Sequence, residues 1–357
     1  MTKIDLSLFR RKFRGSILGV LTGDCLGSPY ENEKLSSGSK LVLQKSFDKL
    51  EGPPFKAPVM QFTDDSAMTM SLAESLIEKK DLDLVDLAKK FVKSYYQEPQ
   101  RGYGSGVVTV FQKLRGSKFS DVLLPAKEQF HGQGSFGNGA AMRVAPVALF
   151  CYNHYDNLRE FAKKQSLITH THKIGVDGAI LQAIAIQQSI HIHPDDQLNV
   201  IDFVDELVNK MNFVEEDEEG LDLVEAQPYK SQLNLIKKLL QEEGEENPID
   251  DKVIKNLGND ISGLRSVPTA IFCFLRAQKP IKGIKTDNPF RRAVQYAISL
   301  GGDTDTIGSM TGAIAGAFYG EEVISPNILQ HLEASTDFKD LADDLFQVAT
   351  KMEWNSS

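Results

Sequence analysis

Apolar side chains recur at helical spacing along most of the chain. After Thr63 the run DDSAMTMSLAESLIEKK places Met68, Leu72 and Leu76 four apart with Ala73 and Ile77 beside them, which predicts a helix with one apolar face. The stretches LVDLAKKFVKSYY, NGAAMRVAPVALFCY, DGAILQAIAIQQSI, SQLNLIKKLLQ, SVPTAIFCFLRA, PFRRAVQYAISL and TIGSMTGAIAGAFYG repeat the pattern. Strand-like alternation is scarce: KLVLQKSF, residues 40–47, predicts one short strand and no sheet large enough to organise a fold. The expected class is all-α, a compact bundle of ten or more helices.

Two of these helices carry a second pattern. Gly15, Gly19, Gly23 and Gly27 lie four apart, and so do Gly308, Gly312, Gly316 and Gly320. A glycine inside a helix costs roughly 1 kcal/mol relative to alanine, so a stripe of them needs compensation. Close approach of another backbone supplies it, as in membrane helices, but Arg11, Lys12, Arg14 and Asp24 rule out a membrane span for the first stripe. Both helices are therefore expected at the centre of the molecule, packed on each other.

Composition limits the setting. With 41% hydrophobic and 25% charged residues in 357, the chain has ordinary globular make-up. No Pro-rich or Ser-rich linker divides it, so one domain over residues 1–357, with its core at about 10–350, is expected. The charged stretches VEEDEEG (214–220) and QEEGEENPIDDK (241–252) read as solvated loops or helix ends. Cys25, Cys151 and Cys273 are odd in number and widely spaced, which favours buried free thiols in a reducing compartment. The N-terminus lacks a signal-peptide apolar region, and no run of 18 apolar residues exists, so neither secretion nor membrane insertion is expected. A formal net charge of −9 weighs against direct binding of nucleic acid through phosphate neutralisation.

Chemistry concentrates at two helix starts. QFTDDSAMTM puts Thr63, Asp64 and Asp65 side by side, and SLGGDTDTIGSM puts Asp303, Thr304, Asp305 and Thr306 at the head of the second glycine-striped helix. Either cluster alone reads as helix capping, since Thr and Asp satisfy orphan N–H groups and suit the dipole. Together they hold four carboxylates, more than two caps need, and close carboxylates repel unless a cation neutralises them. Oxygen-only donors suit Mg²⁺, Mn²⁺ or Ca²⁺, and no Cys/His set has zinc spacing. A two-metal site with ions roughly 3.5 to 4 Å apart fits this donor set. Glu31, on the turn after Gly27 and Pro29, reads alone as a surface carboxylate but reaches the cluster if the striped helices pack together.

Two glycine-rich stretches, RGYGSGVV with Gly102 and Gly104, and HGQGSFGNGAAMR, run into helical patterns, the geometry in which backbone N–H groups cradle phosphate. Neither matches a P-loop or a dinucleotide fingerprint. Phe130 and Phe136 flank the second loop and offer rings for stacking, against the commoner role of core aromatics. His170 and His172 in THTHK read by default as satisfied histidines.

The order of GDCLGSPYE, FTDDSAM, RGYGSG, GQGSFGNG, ITH and GGDTDTIG, from Gly23 to Gly308, resembles the ADP-ribosyl-acceptor hydrolases, the family that includes the dinitrogenase-reductase-activating glycohydrolases. In detail it is similar to the branch that removes ADP-ribose from serine and degrades poly(ADP-ribose). The resemblance implies an all-α fold with two Mg²⁺, or Mn²⁺ in their place, at the bottom of a central cleft. It implies Glu31, Thr63, Asp64, Asp65, Asp303, Asp305 and Thr306 as metal ligands, with Glu31 also catalytic and mobile. For the substrate it implies Asp64, the loop Gln133, Gly134, Ser135, Phe136, Gly137, Asn138 and Gly139 around the diphosphate and adenosine, Phe130 and His170 beside the distal ribose, and Ile261 along the adenosine channel. The reaction implied is Mg²⁺-dependent hydrolysis at the anomeric carbon of the distal ribose, on serine-linked ADP-ribose, poly(ADP-ribose) and O-acetyl-ADP-ribose. A monomer is expected because no uncovered heptad or strand edge stands out, and the expected location is nucleus and cytoplasm, with the mitochondrial matrix as a further compartment.

Phe136 stands where some relatives carry Tyr, Ala140 where a second Gly is expected, and His172 has no assigned role. Two alternatives stay open. One is a non-catalytic ADP-ribose-binding or crystallin-like relative, against which the complete set of clustered carboxylates argues. The other is an arginine-directed ADP-ribosyl hydrolase.

Overall fold

The computed structural model describes residues 5–215, 226–352 and Trp354. Eighteen α-helices and four short 3-10 turns occur among them, with no strand, only isolated bridges. Eight of the helices organise the core: α1 (Leu6–Gly27), α2 (Ser37–Glu51), α3 (Asp64–Lys79), α4 (Lys173–Ile190), α5 (Val267–Arg276), α6 (Pro289–Ser299), α7 (Thr304–Tyr319) and α8 (Ser335–Ala349).

The glycine stripes meet as expected. α1 and α7 run antiparallel, Gly15 against Gly316, Gly19 against Gly312 and Gly23 against Gly308. A Cβ at Gly19 would stand 2.0 Å from the Gly312 carbonyl oxygen, and one at Gly23 2.0 Å from that of Gly308. No side chain fits between these backbones. Ser16 Oγ donates to the Ala313 carbonyl at 3.0 Å and Thr304 Oγ1 to the Gly27 carbonyl at 2.8 Å, fixing the register at both ends. Ile17, Leu18, Leu21, Ile307 and Ile314 are fully buried around the seam, and their burial offsets the helix-propensity cost of the glycines. α4, α5 and α6 pack around α7, while α8 covers α1.

Two expectations need correction. Residues 40–47 are not a strand but part of α2, started by Ser36, whose Oγ accepts from Ser39 N at 3.1 Å. Leu43, Phe47 and Leu50 at spacings of four and three form its buried face, whereas Leu41 and Val42 are exposed. Within VEEDEEG, residues 216–220 lie outside the described residues, but Glu215 is buried rather than solvated. It accepts from the N–H groups of Tyr229 at 2.8 Å and Lys230 at 3.0 Å, capping the helix Pro228–Leu240. The segment 241–252 does form a helix end, a loop and the start of the helix Asp250–Asn256. All three cysteines are buried and free. Among the described residues no helix is long and apolar enough to cross a membrane.

The seam generates a direct prediction. Gly312→Ala is expected to destabilise the protein by about 2 kcal/mol or more, because its Cβ meets backbone at 2.1 Å. Gly116→Ala, at an exposed helix end with open space around it, is expected to change stability by less than about 0.5 kcal/mol. Urea unfolding midpoints of the two variants check this.

Candidate active site

The site begins with a residue that the helical pattern hid. Asp24 lies on α1 next to Gly23, fully buried, and its carboxylate reaches across to the start of α3. It accepts from Thr63 N at 3.0 Å, Thr63 Oγ1 at 2.8 Å, Ser66 N at 3.1 Å and Ser66 Oγ at 2.6 Å. Two orphan N–H groups of α3 are thus satisfied from another helix. Thr63 itself caps α3, its Oγ1 accepting from Asp65 N at 3.3 Å. The capping reading of the TDD cluster is therefore correct as far as Thr63 goes, and it leaves Asp64 and Asp65 unexplained.

A second tie holds the segment from outside. Asp64 N donates to the Arg101 carbonyl at 2.8 Å, and the Arg101 guanidinium bonds both oxygens of Glu333, at 2.9 and 3.0 Å, and the Phe62 carbonyl at 2.7 Å. RGYGSG is thereby joined to FTDD, with Gly102 against the Asp64 carboxylate.

The other cluster is positioned by the loop before α7. Gly301 and Gly302 adopt φ of +72° and +76°, a region that favours glycine, and a Cβ at Gly302 would stand 2.0 Å from the Asn259 carbonyl oxygen. Asn32 N donates to Gly302 O at 2.7 Å and Gly302 N to Glu33 O at 3.0 Å. The turn carrying Glu31 is therefore clamped to the residue preceding Asp303. Asp303 occupies the N-cap position of α7 without capping it; its Oδ2 accepts instead from Asn138 Nδ2 at 2.6 Å. Asp305 Oδ1 accepts from Thr306 N at 2.9 Å, and Thr306 Oγ1 donates to Asp65 Oδ2 at 3.3 Å, bridging the two clusters.

Glu31, Asp303 and Asp305 each offer a carboxylate oxygen within 4.8 Å of the others. Asp65 Oδ1 is buried with no hydrogen-bond donor among the described residues. Burial pushes the carboxyls of Asp24, Asp64, Asp65, Asp303 and Asp305 above the ordinary carboxylate range. Neighbouring carboxylates push further, Asp24 on Asp64, Asp305 on Asp65 and Asp303 on Asp305. Glu31, exposed at the rim, shifts the same way through desolvation and then Asp303. An orphaned carboxylate oxygen inside a set of mutually repelling carboxylates is a donor set for a hard divalent cation.

The cluster floors a cavity of about 320 Å³. Glu31, Asp64, Asp65, Asp303, Asp305 and Thr306 line it, as do Gly102, Gly104, Phe130, Ser135, Gly137, Asn138, Gly139, His170 and Ile261. Four of the named residues fall outside this lining. The Thr63 hydroxyl is committed to Asp24. Gln133 is exposed, Gly134 is buried against Thr171 and His172, and Phe136 turns its ring toward His172 at 6.0 Å. His172, unassigned from sequence, caps α4, its Nδ1 accepting from Ile174 N at 3.1 Å. Phe130 and Ile261 are exposed at the rim, the latter held by Asn138 N donating to Ile261 O at 2.9 Å. The helix Ser105–Gly116 starts at this cavity without a side-chain cap and its first three residues line it, as does Gly139 at the head of the short helix Gly139–Met142.

Besides Asp24, pattern reading missed Arg143 and Thr169, both buried in the cavity wall. A charged residue inside an otherwise apolar or glycine-striped helix was the available signal for Asp24 and Arg143.

The repulsion leads to a measurable outcome. Asp305→Asn keeps an oxygen to accept from Thr306 N while removing one charge from the cluster. In EDTA it is expected to melt at or above the parent temperature, because less charge is buried; added Mg²⁺ is expected to raise the parent Tm by several degrees and the variant's little. Calorimetry with and without the cation reads both.

With this geometry in hand, comparison with known proteins is specific. The family described as ADP-ribosylglycohydrolase matches over residues 5–354. The chain is 40% identical over 346 residues to ADP-ribosylhydrolase ARH3 of Mus musculus, covering 94% of this chain and 91% of that protein. It is 40% identical over 349 residues to the protein of the same name from Homo sapiens, covering 95% and 94%. A solved structure titled ADP-ribosylglycohydrolase-related protein complex shares the fold at a TM-score of 0.60 and 20% identity, covering 96% of this chain and 99% of that one. Full-length coverage and this level of identity show that the chain belongs to the ADP-ribosylglycohydrolase family and is a glycosyl hydrolase.

Proposed function

We propose that this protein removes ADP-ribose from serine on proteins and cleaves poly(ADP-ribose) and O-acetyl-ADP-ribose, by hydrolysis at the anomeric carbon of the distal ribose, with two Mg²⁺ as cofactors and Mn²⁺ able to replace them. The observation that carries this reading is the meeting, in one cavity, of an orphaned carboxylate cluster with glycine-rich walls and an uncapped helix start. A cation-held reacting end and a phosphate-holding end then face each other across the cavity. Relatives about 40% identical over nearly the whole chain are named ADP-ribosylhydrolases, which supports the same reading.

Glu31, Thr63, Asp64, Asp65, Asp303, Asp305 and Thr306 would hold the cations; Thr63 can keep donating its hydroxyl hydrogen to Asp24 while an oxygen lone pair faces a cation. Bound there, the cations would supply Lewis acidity at the reacting centre and positive charge to hold ribose hydroxyls. Glu31 sits at the rim, exposed, with one oxygen accepting from Asn32 Nδ2 at 3.2 Å and room to take a proton from an incoming water. Desolvation and then Asp303 raise its pKa above the ordinary carboxylate value, which favours proton uptake. Ser135, Gly137 and Gly139, which line the cavity, would bring backbone close to the diphosphate, and the uncapped start of Ser105–Gly116 would supply N–H groups to it. Phe130 and His170 would border the distal ribose, and Ile261 would lie along the adenosine. The proposed protein acts as a single-domain monomer in nucleus and cytoplasm, with a further mitochondrial pool, on ADP-ribosylated proteins rather than on nucleic acid directly.

Peptides carrying serine-linked or arginine-linked ADP-ribose, and poly(ADP-ribose), decide the matter in parallel assays. Release is expected from the serine peptide and the polymer in Mg²⁺, not in EDTA, and not from the arginine peptide. Asp64→Asn is expected to reduce turnover by at least about a thousandfold, about 4 kcal/mol, with helical circular dichroism unchanged. Release from the arginine peptide alone would replace the serine reading, and ADP-ribose binding without any release would overturn the enzyme reading.

A further inference from the structure

One charged side chain in the cavity wall has no counter-charge. Arg143 is completely buried, and its guanidinium bonds only neutral acceptors: Gln165 Oε1 at 2.7 Å, Gln165 O at 2.8 Å, Gly139 O at 3.3 Å and Thr169 Oγ1 at 2.8 Å. The Phe91 ring packs on it at 4.7 Å. No carboxylate among the described residues pairs with it. A buried, uncompensated cation is expensive and calls for a role.

The bond to Thr169 has a consequence one step further on. Thr169 Oγ1 lies 2.7 Å from His170 Nδ1, and the two groups have to share one hydrogen. A guanidinium only donates, so Thr169 Oγ1 is already accepting from Arg143. If His170 Nδ1 also donated to it, the hydroxyl hydrogen would be buried with no acceptor, at a cost of about 1–3 kcal/mol. The arrangement that satisfies every atom runs Arg143 to Thr169 to His170, each donating to the next, with Nδ1 bare and the imidazole proton on Nε2. Burial, and then Arg143, hold the His170 pKa down at about 3, so the ring is neutral.

Nε2 in turn faces the cavity. Cβ atoms built on Gly139 and Gly137 would lie 3.2 and 3.4 Å from it, so the two glycines leave the channel through which it emerges. No protein group among the described residues accepts from it.

We infer that Arg143 and Thr169 are positioning residues that lock His170 as an Nε2–H donor aimed at an acceptor oxygen of the bound sugar–phosphate ligand. His170 acts as a fixed hydrogen-bond donor and not as the proton-transferring acid. The identity of the ligand rests on the proposed function; the tautomer does not.

The test separates the two. Nitrogen NMR of the full-length protein with isotope-labelled histidine, free of ligand, is expected to show His170 as a neutral ring protonated on Nε2. Thr169→Val is expected to lose that single tautomer and to weaken ADP-ribose binding about tenfold, whereas Thr169→Ser, which keeps the hydroxyl, stays within about twofold of the parent in both readouts. Charged or Nδ1-protonated His170 in the parent protein overturns the inference, and so does equal binding by the Val and Ser variants. If the parent protein does not bind ADP-ribose at all, the proposed substrate falls, while the parent spectrum still decides the relay without requiring any variant to fold.

Discussion

The contact between α1 and α7 is the constraint on which the rest depends. Two helix backbones approach so closely that a Cβ at Gly19 would stand 2.0 Å from a carbonyl oxygen, and only one register satisfies every glycine of both stripes. That register puts the C-terminal end of α1, with Asp24 and the Glu31 turn, beside the N-terminal end of α7, with Asp303, Asp305 and Thr306. Asp24 then draws in the start of α3 through four hydrogen bonds. Three carboxylate-bearing segments converge because two helices have no side chains between them. Asp65 and Thr306, 241 positions apart, touch as a result.

The same convergence explains how the cluster is tolerated. Asp64 and Asp65 occupy the first turn of α3 and Asp305 the first turn of α7, where helix dipoles favour negative charge. Dipole contributions of about 0.3–1 kcal/mol are smaller than the cost of burying several carboxylates together, which is why their pKa values still rise. The residual cost is stored in the fold and released when positive charge enters. Stability is sacrificed locally for affinity, a trade found where sites are built for ligands rather than for folding.

The chemistry of the floor was legible because it is local: TDD and DTDT are contiguous, and their excess of oxygen over capping needs shows in one dimension. The glycine seam was legible because its period of four is regular in both partners. What stayed hidden depends on tertiary partners. Asp24 reads as a polar interruption of α1 until α3 is laid against it. Arg143 reads as an ordinary charge in a short helical stretch until Gln165 and Thr169 surround it. The strand reading of KLVLQKSF failed because Leu41, Val42 and Leu43 are adjacent apolar residues, and which of them is buried depends on the neighbours of α2. The contact of Phe136 with His172 could not be read from the loop, because it joins two segments that only the fold brings together.

For an acidic chain to bind the proposed diphosphate, positive charge has to come from somewhere other than its net composition. The sources this fold offers are internal: the uncapped start of Ser105–Gly116, Arg143 behind Gly139, and whatever cations the carboxylate floor would hold. Fields from buried groups are little screened by salt and reach only what enters the cavity. A cavity of about 320 Å³ in a chain of net charge −9 has room for a compact ligand or a chain end. A compact anionic ligand that threads past Phe130 and Ile261 meets the reverse polarity. On the proposed function, net charge and ligand charge are reconciled because the positive groups lie inside the cavity rather than on the surface.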